Sequence, residues 1–284
     1  MSMFQHSNQL GSKKEKFTLE EHGFTILESV FSEDTLSKIR YLTDRIISYG
    51  EKELKDPFQK YYVKHRVDQG VLYDLFQRHP DFQDLAKAPA ILKELANNLG
   101  SDIFLYENSL VYKPKGKDNT VPWHQDFINR PDEPRKFIAW IALDNVTKEN
   151  GAMKLIPGSH KLGFLPCYTV PGETHHTRAC LDGIDLSNFI YGEINAGDVL
   201  IFNQLLVHSS DRVETVMPRR AYRVAYQGFD QIFTPRATPI VLMGGDPESL
   251  AQKYPQKQEL EEKANQKTLI QRFVHKLARI LLSI

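Results

Sequence analysis

Apolar positions fall into three regimes along the chain. In the first hundred residues they recur at helical spacing. Ser32 suits a helix N-cap, Glu33 and Asp34 follow in the first turn, and Leu36, Ile39, Ile46 and Ile47 then share one face. Pro89 opens a second helix whose apolar face is Ile91, Leu92, Leu95, Ala96 and Leu99, and Gly100 ends it. A short apolar run, Phe24 to Leu27, follows Gly23 and reads as a strand. Beyond Gly100 the pattern changes to short runs: Ile103–Tyr106, Ser109–Tyr112, Phe137–Leu143, Met153–Ile156, Phe189–Ile194, Val199–Val207 and Ala221–Gly228. Turns rich in Gly, Pro, Asn and Asp separate them, the signature of an antiparallel sandwich or barrel. The expected fold is α+β and mainly β: a double-stranded β-helix, or jelly roll, with N-terminal helices packed on it.

The third regime is the C-terminal segment. Ile270, Phe273, Val274, Leu277, Ile280 and Leu281 fall on one helical face, and Lys263, Lys267, Arg272, Lys276 and Arg279 accompany them with no acid after Glu262. The pattern predicts an amphipathic basic helix over 259–284, packing either on protein or on a membrane surface. Residues 1–16 are polar and read as a flexible tail, and 17–258 as a single domain, because no linker or repeat divides them.

Composition narrows the function classes. Lys plus Arg and Asp plus Glu both number 36, so the net charge is zero, which argues against a general nucleic-acid binder. The 41% hydrophobic and 25% charged content of 284 residues is that of a soluble domain with a sizeable core. Two cysteines, Cys167 and Cys180, exclude a disulfide scaffold or a Cys-rich zinc site. The N-terminus carries no apolar stretch like a signal peptide's, and no run approaches the ~18 apolar residues that span a bilayer. The expected location is the cytoplasm.

Chemistry concentrates in Pro122-Trp123-His124-Gln125-Asp126. On an extended strand His124 and Asp126 face one way and Gln125 the other, so the two can share a metal. Gly197-Asp198 leads through the apolar run Val199–Phe202 to His208, a candidate third ligand. Two histidines and a carboxylate form the facial triad of non-haem Fe(II) oxygenases, which leaves three positions open. Arg219 follows across a polar turn, a bidentate donor suited to the distal carboxylate of 2-oxoglutarate. If Arg219 to Gln227 is a strand, Arg219, Ala221, Arg223 and Ala225 face the barrel interior, and Arg220, Tyr222, Val224 and Tyr226 face outward.

Trp123-His124-Gln125-Asp126, the segment from Asn150-Gly151-Ala152 to Pro157-Gly158-Ser159-His160-Lys161, and Gly197-Asp198 through His208 to Arg219 together resemble the phytanoyl-CoA dioxygenase family. The resemblance runs from about Phe17 to Tyr226 and is strongest after Ser109. It implies a cupin-like double-stranded β-helix and an Fe(II)- and 2-oxoglutarate-dependent dioxygenase. The reaction implied uses O2 to hydroxylate an unactivated C–H bond of a small molecule or acyl thioester, releasing succinate and CO2. It also implies roles: His124, Asp126 and His208 as iron ligands, Arg219 and Ser210 on the 2-oxoglutarate carboxylate, and Trp140 lining the cosubstrate pocket. Ser109 matches a cosubstrate-contacting position, and Lys64 or Arg66 a basic residue that joins the pocket.

Arg223, Tyr112, Lys113, His175 and His176 are the candidate substrate contacts. His160 reads as a structural turn residue, Cys167 and Cys180 as packing thiols, and Asp198 as turn chemistry. Asp126 fills the position a halide would need, which separates the chain from halogenases. The competing readings are a non-catalytic jelly-roll binding protein and a membrane-associated partner acting through the C-terminal helix.

Overall fold

The computed structural model describes residues 16–52, 70–113, 120–131, 133–171, 177–213, 215, 219–229, 240–246 and 249. The segment 259–284, the tail before Lys16, and His175, His176, Lys64 and Arg66 lie outside the described residues. Four helices precede most of the sheet: α1 (Glu33–Lys52), α2 (Leu75–Arg78), α3 (Pro80–Ala86) and α4 (Pro89–Leu99). The strands are β1 (Phe24–Leu27), β2 (Val71–Tyr73), β3 (Ile103–Tyr112), β4 (Val121–His124), β5 (Phe137–Ala142), β6 (Met153–Leu155) and β7 (Cys167–Tyr168). They continue as β8 (Arg178–Ala179), β9 (Ile190–Gly192), β10 (Val199–Asn203), β11 (His208–Ser210), β12 (Arg220–Gly228) and β13 (Ile240–Met243).

Pairing is antiparallel throughout. The major sheet runs β1-β10-β5-β12-β3-β13, with β2 also on β3, and the minor sheet runs β4-β11-β6-β9. Side-chain alternation on the major sheet divides the core into two layers. Tyr222, Val224, Tyr226, Ile141 and Val199 meet the helix residues Phe82, Leu85, Ile91 and Leu95. Ile138, Trp140, Leu200, Phe202, Ala221 and Ala225 face Met153 and Leu155 of the minor sheet.

Polar groups pin the helices to the sheet. The buried Asn108 accepts from the Phe76 N–H at 2.8 Å and donates to Gln77 Oε1 at 2.9 Å, and the Tyr226 hydroxyl donates to the Ala86 carbonyl at 2.9 Å. These contacts satisfy groups that burial would otherwise leave unpaired.

Two expectations change. The runs 103–106 and 109–112 are one strand, β3, carrying a bulge: the register against β12 passes from Ala225↔Glu107 to Tyr226↔Leu105. The bulge turns both Tyr106 and Glu107 to the inner side, interrupting the alternation. The run 199–207 is not a single strand, because β10 ends at Asn203 and the chain crosses to the minor sheet as β11. Strands β2 and β13 and helices α2 and α3 are too short for their periodicity to register.

The turn before β10 is a tight junction. Gly197 has φ +91, and a Cβ there would lie 2.5 Å from the Phe31 carbonyl oxygen. Its N–H donates to the Ala142 carbonyl at 2.9 Å, and its carbonyl accepts from the Val30 N–H at 3.0 Å. Asp198 adds two bonds, accepting from the Ser29 N–H at 2.7 Å and the Asn195 N–H at 2.9 Å. Gly197→Ala is therefore expected to destabilise the protein by about 3 kcal/mol or more. Gly183→Ala, also at positive φ but with nothing within 4 Å of the new Cβ, should cost roughly 1 kcal/mol. Urea unfolding of both checks this, and equal losses would show that the Phe31 contact imposes no constraint.

Candidate active site

Strand pairing brings the two histidines together. His208 lies directly opposite His124 in the β11–β4 ladder, and the ring centroids are 4.2 Å apart. Each Nδ1 sits against a main-chain carbonyl two residues back: Pro122 at 2.8 Å for His124, and Leu206 at 2.9 Å for His208. A carbonyl can only accept, so in the neutral form of each ring Nδ1 carries the proton and Nε2 the lone pair.

Asp126 arrives differently from the expectation. β4 ends at His124, and Asp126 lies in the following turn, where Phe127 adopts φ 54. Gln125 fixes that turn from behind. Its buried amide donates to the Gly163 and Leu205 carbonyls, both at 2.8 Å, and accepts from the Leu165 N–H at 3.0 Å. Asp126 Oδ1 comes to 3.7 Å from His124 Nε2. One ligand atom each from His124, Asp126 and His208 lie within 4.8 Å of one another, the one such group of three among the described residues.

Electrostatics hold Asp126 and His208 in the protonation states a metal ligand needs. Burial alone would raise the Asp126 carboxyl, but Arg223, at 2.8 Å from Oδ2, with His208 and His124 outweighs it and holds the group well below the usual carboxylate range. Burial pushes His208 down, partly opposed by Asp126, so its imidazole is neutral at pH 7.

The same cavity, about 310 Å³, takes in Ser109, Trp140, Ser210, Arg219 and Arg223 with the three converging residues. Arg219 is buried, its guanidinium lies 4.6 Å from the centre of the Trp140 ring, and its Nε has no hydrogen-bond partner among the described residues. No described carboxylate pairs with it, and burial pulls it down to about 9. Arg220 points the other way, forking onto Asp144 at 2.7 and 2.8 Å and reaching Asp44 at 2.5 Å.

The remaining candidates divide. Lys113 borders the cavity but its ammonium donates to the Asp211 carbonyl at 2.5 Å, and Tyr112 borders it while packing in the helix-side core. His160 lies away from the cavity, its Nε2 3.0 Å from the Glu20 carbonyl. Cys167 and Cys180 are free thiols at the β7–β8 ribbon. Glu107, Phe127, Tyr73 and Phe202 also line the cavity and were not singled out from sequence. The polar Glu107-Asn108 pair inside an apolar strand was the available signal.

The depressed His208 sets a pH dependence. Protons and metal compete for Nε2, and a lowered imidazole yields to protons only at lower pH. Calorimetric Co(II) affinity is expected to stay level as pH falls from about 8 to about 6.5, the ordinary imidazole value, and to weaken below it. A loss of about twofold already present at pH ~6.5, reaching about tenfold by pH ~5.5, would mean that His208 titrates as an exposed ring.

Similarity to known proteins agrees with this geometry. The sequence profile of the family described as phytanoyl-CoA dioxygenase (PhyH) matches residues 19–221. Peroxisomal phytanoyl-CoA dioxygenase of Rattus norvegicus is 28% identical over 244 residues, covering 79% of this chain and 70% of the relative. Ectoine dioxygenase of Nocardia farcinica is 26% identical over 234 residues, covering 75% of each chain. Among solved structures, EctD from S. alaskensis with 2-oxoglutarate and 5-hydroxyectoine superposes with a TM-score of 0.65 at 19% identity, over 81% of this chain and 80% of that one. Its likeness speaks to the jelly-roll fold. With a family profile matched across well over half of its length, the chain belongs to the phytanoyl-CoA dioxygenase family.

Proposed function

We propose that the protein is an Fe(II)- and 2-oxoglutarate-dependent dioxygenase that hydroxylates an unactivated C–H bond of a small organic substrate or acyl thioester. The observation that carries this reading is Arg219: a buried guanidinium without a carboxylate partner among the described residues, in one cavity with two imidazoles and an aspartate. A buried cation left unpaired is costly, and a dicarboxylate cosubstrate supplies the missing anion. The donor set fits ferrous iron, since two neutral nitrogens and one carboxylate make up the facial arrangement that leaves positions for further ligands.

In this reading His124, Asp126 and His208 hold the iron. Arg219 binds the distal carboxylate of 2-oxoglutarate over the Trp140 ring, with Ser210 and Ser109 bordering the same space. Bound iron, 2-oxoglutarate and O2 supply the oxidising chemistry, with succinate and CO2 as the coproducts. The chain's part is orientation and exclusion of water. The two Nδ1–carbonyl bonds fix the imidazole tautomers, and Phe127, Phe202 and Met153 provide apolar walls. No helix among the described residues is long and apolar enough to cross a membrane, and two unlinked cysteines suit a cytoplasmic setting.

Succinate release, measured with Fe(II), 2-oxoglutarate and O2 against a panel of acyl thioesters and small polar substrates, tests the activity. Substrate-stimulated succinate is expected from the wild type and not from His208→Ala. Product mass spectrometry in chloride buffer should show added oxygen, because Asp126 occupies the position a halide would take; efficient chlorination would contradict the assignment.

Arginine substitutions test the carboxylate site. Losing one end of a buried charge-assisted pair costs ~2–5 kcal/mol. Arg219→Ala should therefore raise the 2-oxoglutarate requirement more than tenfold, about 1.4 kcal/mol per decade. Arg220→Ala removes only the Asp144 and Asp44 contacts and should leave that requirement within about twofold while lowering stability. Equal effects at both positions would overturn the assignment.

A further inference from the structure

Arg223 is a candidate substrate contact, and its guanidinium is already engaged within the fold. Nη2 donates to Asp126 Oδ2 at 2.8 Å, and Nη1 donates to Glu107 Oε1 at 3.1 Å. The carbon of the guanidinium lies 5.2 Å from the centre of the Phe127 ring. That ring is held in turn by the Lys136 ammonium at 5.2 Å, Arg130 at 5.5 Å and an edge-on Tyr106 at 5.1 Å. The bulge in β3 turns Glu107 inward, and small Ser109 stands opposite Arg223 in the ladder, so the fork has both room and an anchor.

The division of the Asp126 oxygens is the informative feature. Oδ1 is the atom that approaches His124 Nε2, whereas Oδ2 is the atom that Arg223 holds. A carboxylate can bind a divalent ion through one oxygen or through both. With two histidines and one oxygen, three of six positions stay open. With both oxygens bound only two remain, and a chelating 2-oxo acid would fill them.

We infer that Arg223 is a positioning residue that, anchored by Glu107, keeps Asp126 a one-oxygen ligand and so preserves the coordination position that O2 needs. This rests on the iron and 2-oxoglutarate reading above. The Arg223 cation also repels a divalent ion, so its removal has opposing consequences for metal affinity, and access to the remaining position is the informative readout. Tight Fe(II) binding alone would not reveal the role.

Nitric oxide, a probe of that position, gives a test separate from turnover. Anaerobic enzyme is loaded with Fe(II) and 2-oxoglutarate, both bindings are verified, and nitric oxide is titrated with detection by electron paramagnetic resonance. Wild type should bind it. Arg223→Met, which removes both donors at similar length, should retain Fe(II) and 2-oxoglutarate yet bind nitric oxide more than tenfold more weakly. Arg223→Lys keeps the charge but cannot span Glu107 and Asp126 together, and should fall between the two. If Arg223→Met does not fold, Arg223→Lys carries the test alone. Affinity equal to wild type in Arg223→Met, or in Arg223→Lys where only that variant folds, would overturn the inference. Failure of the wild type to bind Fe(II) and 2-oxoglutarate would instead overturn the reading on which it rests.

Discussion

β12 is the strand on which core and site both depend. Tyr222, Val224 and Tyr226 point to the helices, while Ala221 and Ala225 point between the sheets and Arg223 into the cavity, with Arg219 at the strand's entrance. A slip of one residue would drive Arg220 into the cavity and strip the helices of their aromatic contacts, because side chains alternate with a period of two. Phe82 against Tyr222, with ring centroids 5.1 Å apart, and the Tyr226–Ala86 hydrogen bond hold the register from the outer face. The Arg220–Asp144 fork holds it at one end. The helices therefore set where the arginines point, although they touch neither the triad nor its cavity through those contacts.

The two inward arginines differ in what they lack. Arg223 has carboxylates on both sides, and Asp126 and Glu107 together outweigh its burial and hold it strongly charged. Arg219 has an aromatic ring and no acid among the described residues, and burial weakens its hold on the proton. On the reading proposed above, Arg223 acts through its neighbour, while Arg219 takes an anion from the cosubstrate. The β3 bulge delivers Glu107 to Arg223, and no described residue does the same for Arg219.

Much of this was legible in the sequence, for identifiable reasons. Helices α1 and α4 are long enough for a 3.6-residue pattern to repeat, and β5, β10 and β12 are buried on both faces, so their apolar runs stand out. Alternation alone separated Arg219 and Arg223 from Arg220. Less visible were features created by tertiary geometry. The β3 bulge looks in sequence like a break at Glu107-Asn108, and the crossing from β10 to β11 hides inside an unbroken apolar stretch. Asp126 reaches the histidines through a turn held by Gln125 rather than by strand alternation. Arg223 as partner of a metal ligand could not be read from spacing, because Glu107 and Asp126 lie on separate strands and turns that only folding brings together.

The most direct test of the central claim is an anaerobic titration of the protein with Fe(II) and 2-oxoglutarate, followed by visible absorption. If His124, Asp126 and His208 hold the iron beside Arg219, a charge-transfer band should saturate at one iron and one 2-oxoglutarate per chain and disappear in His208→Ala. A missing band in the wild type, or one that persists undiminished in His208→Ala, would contradict the account.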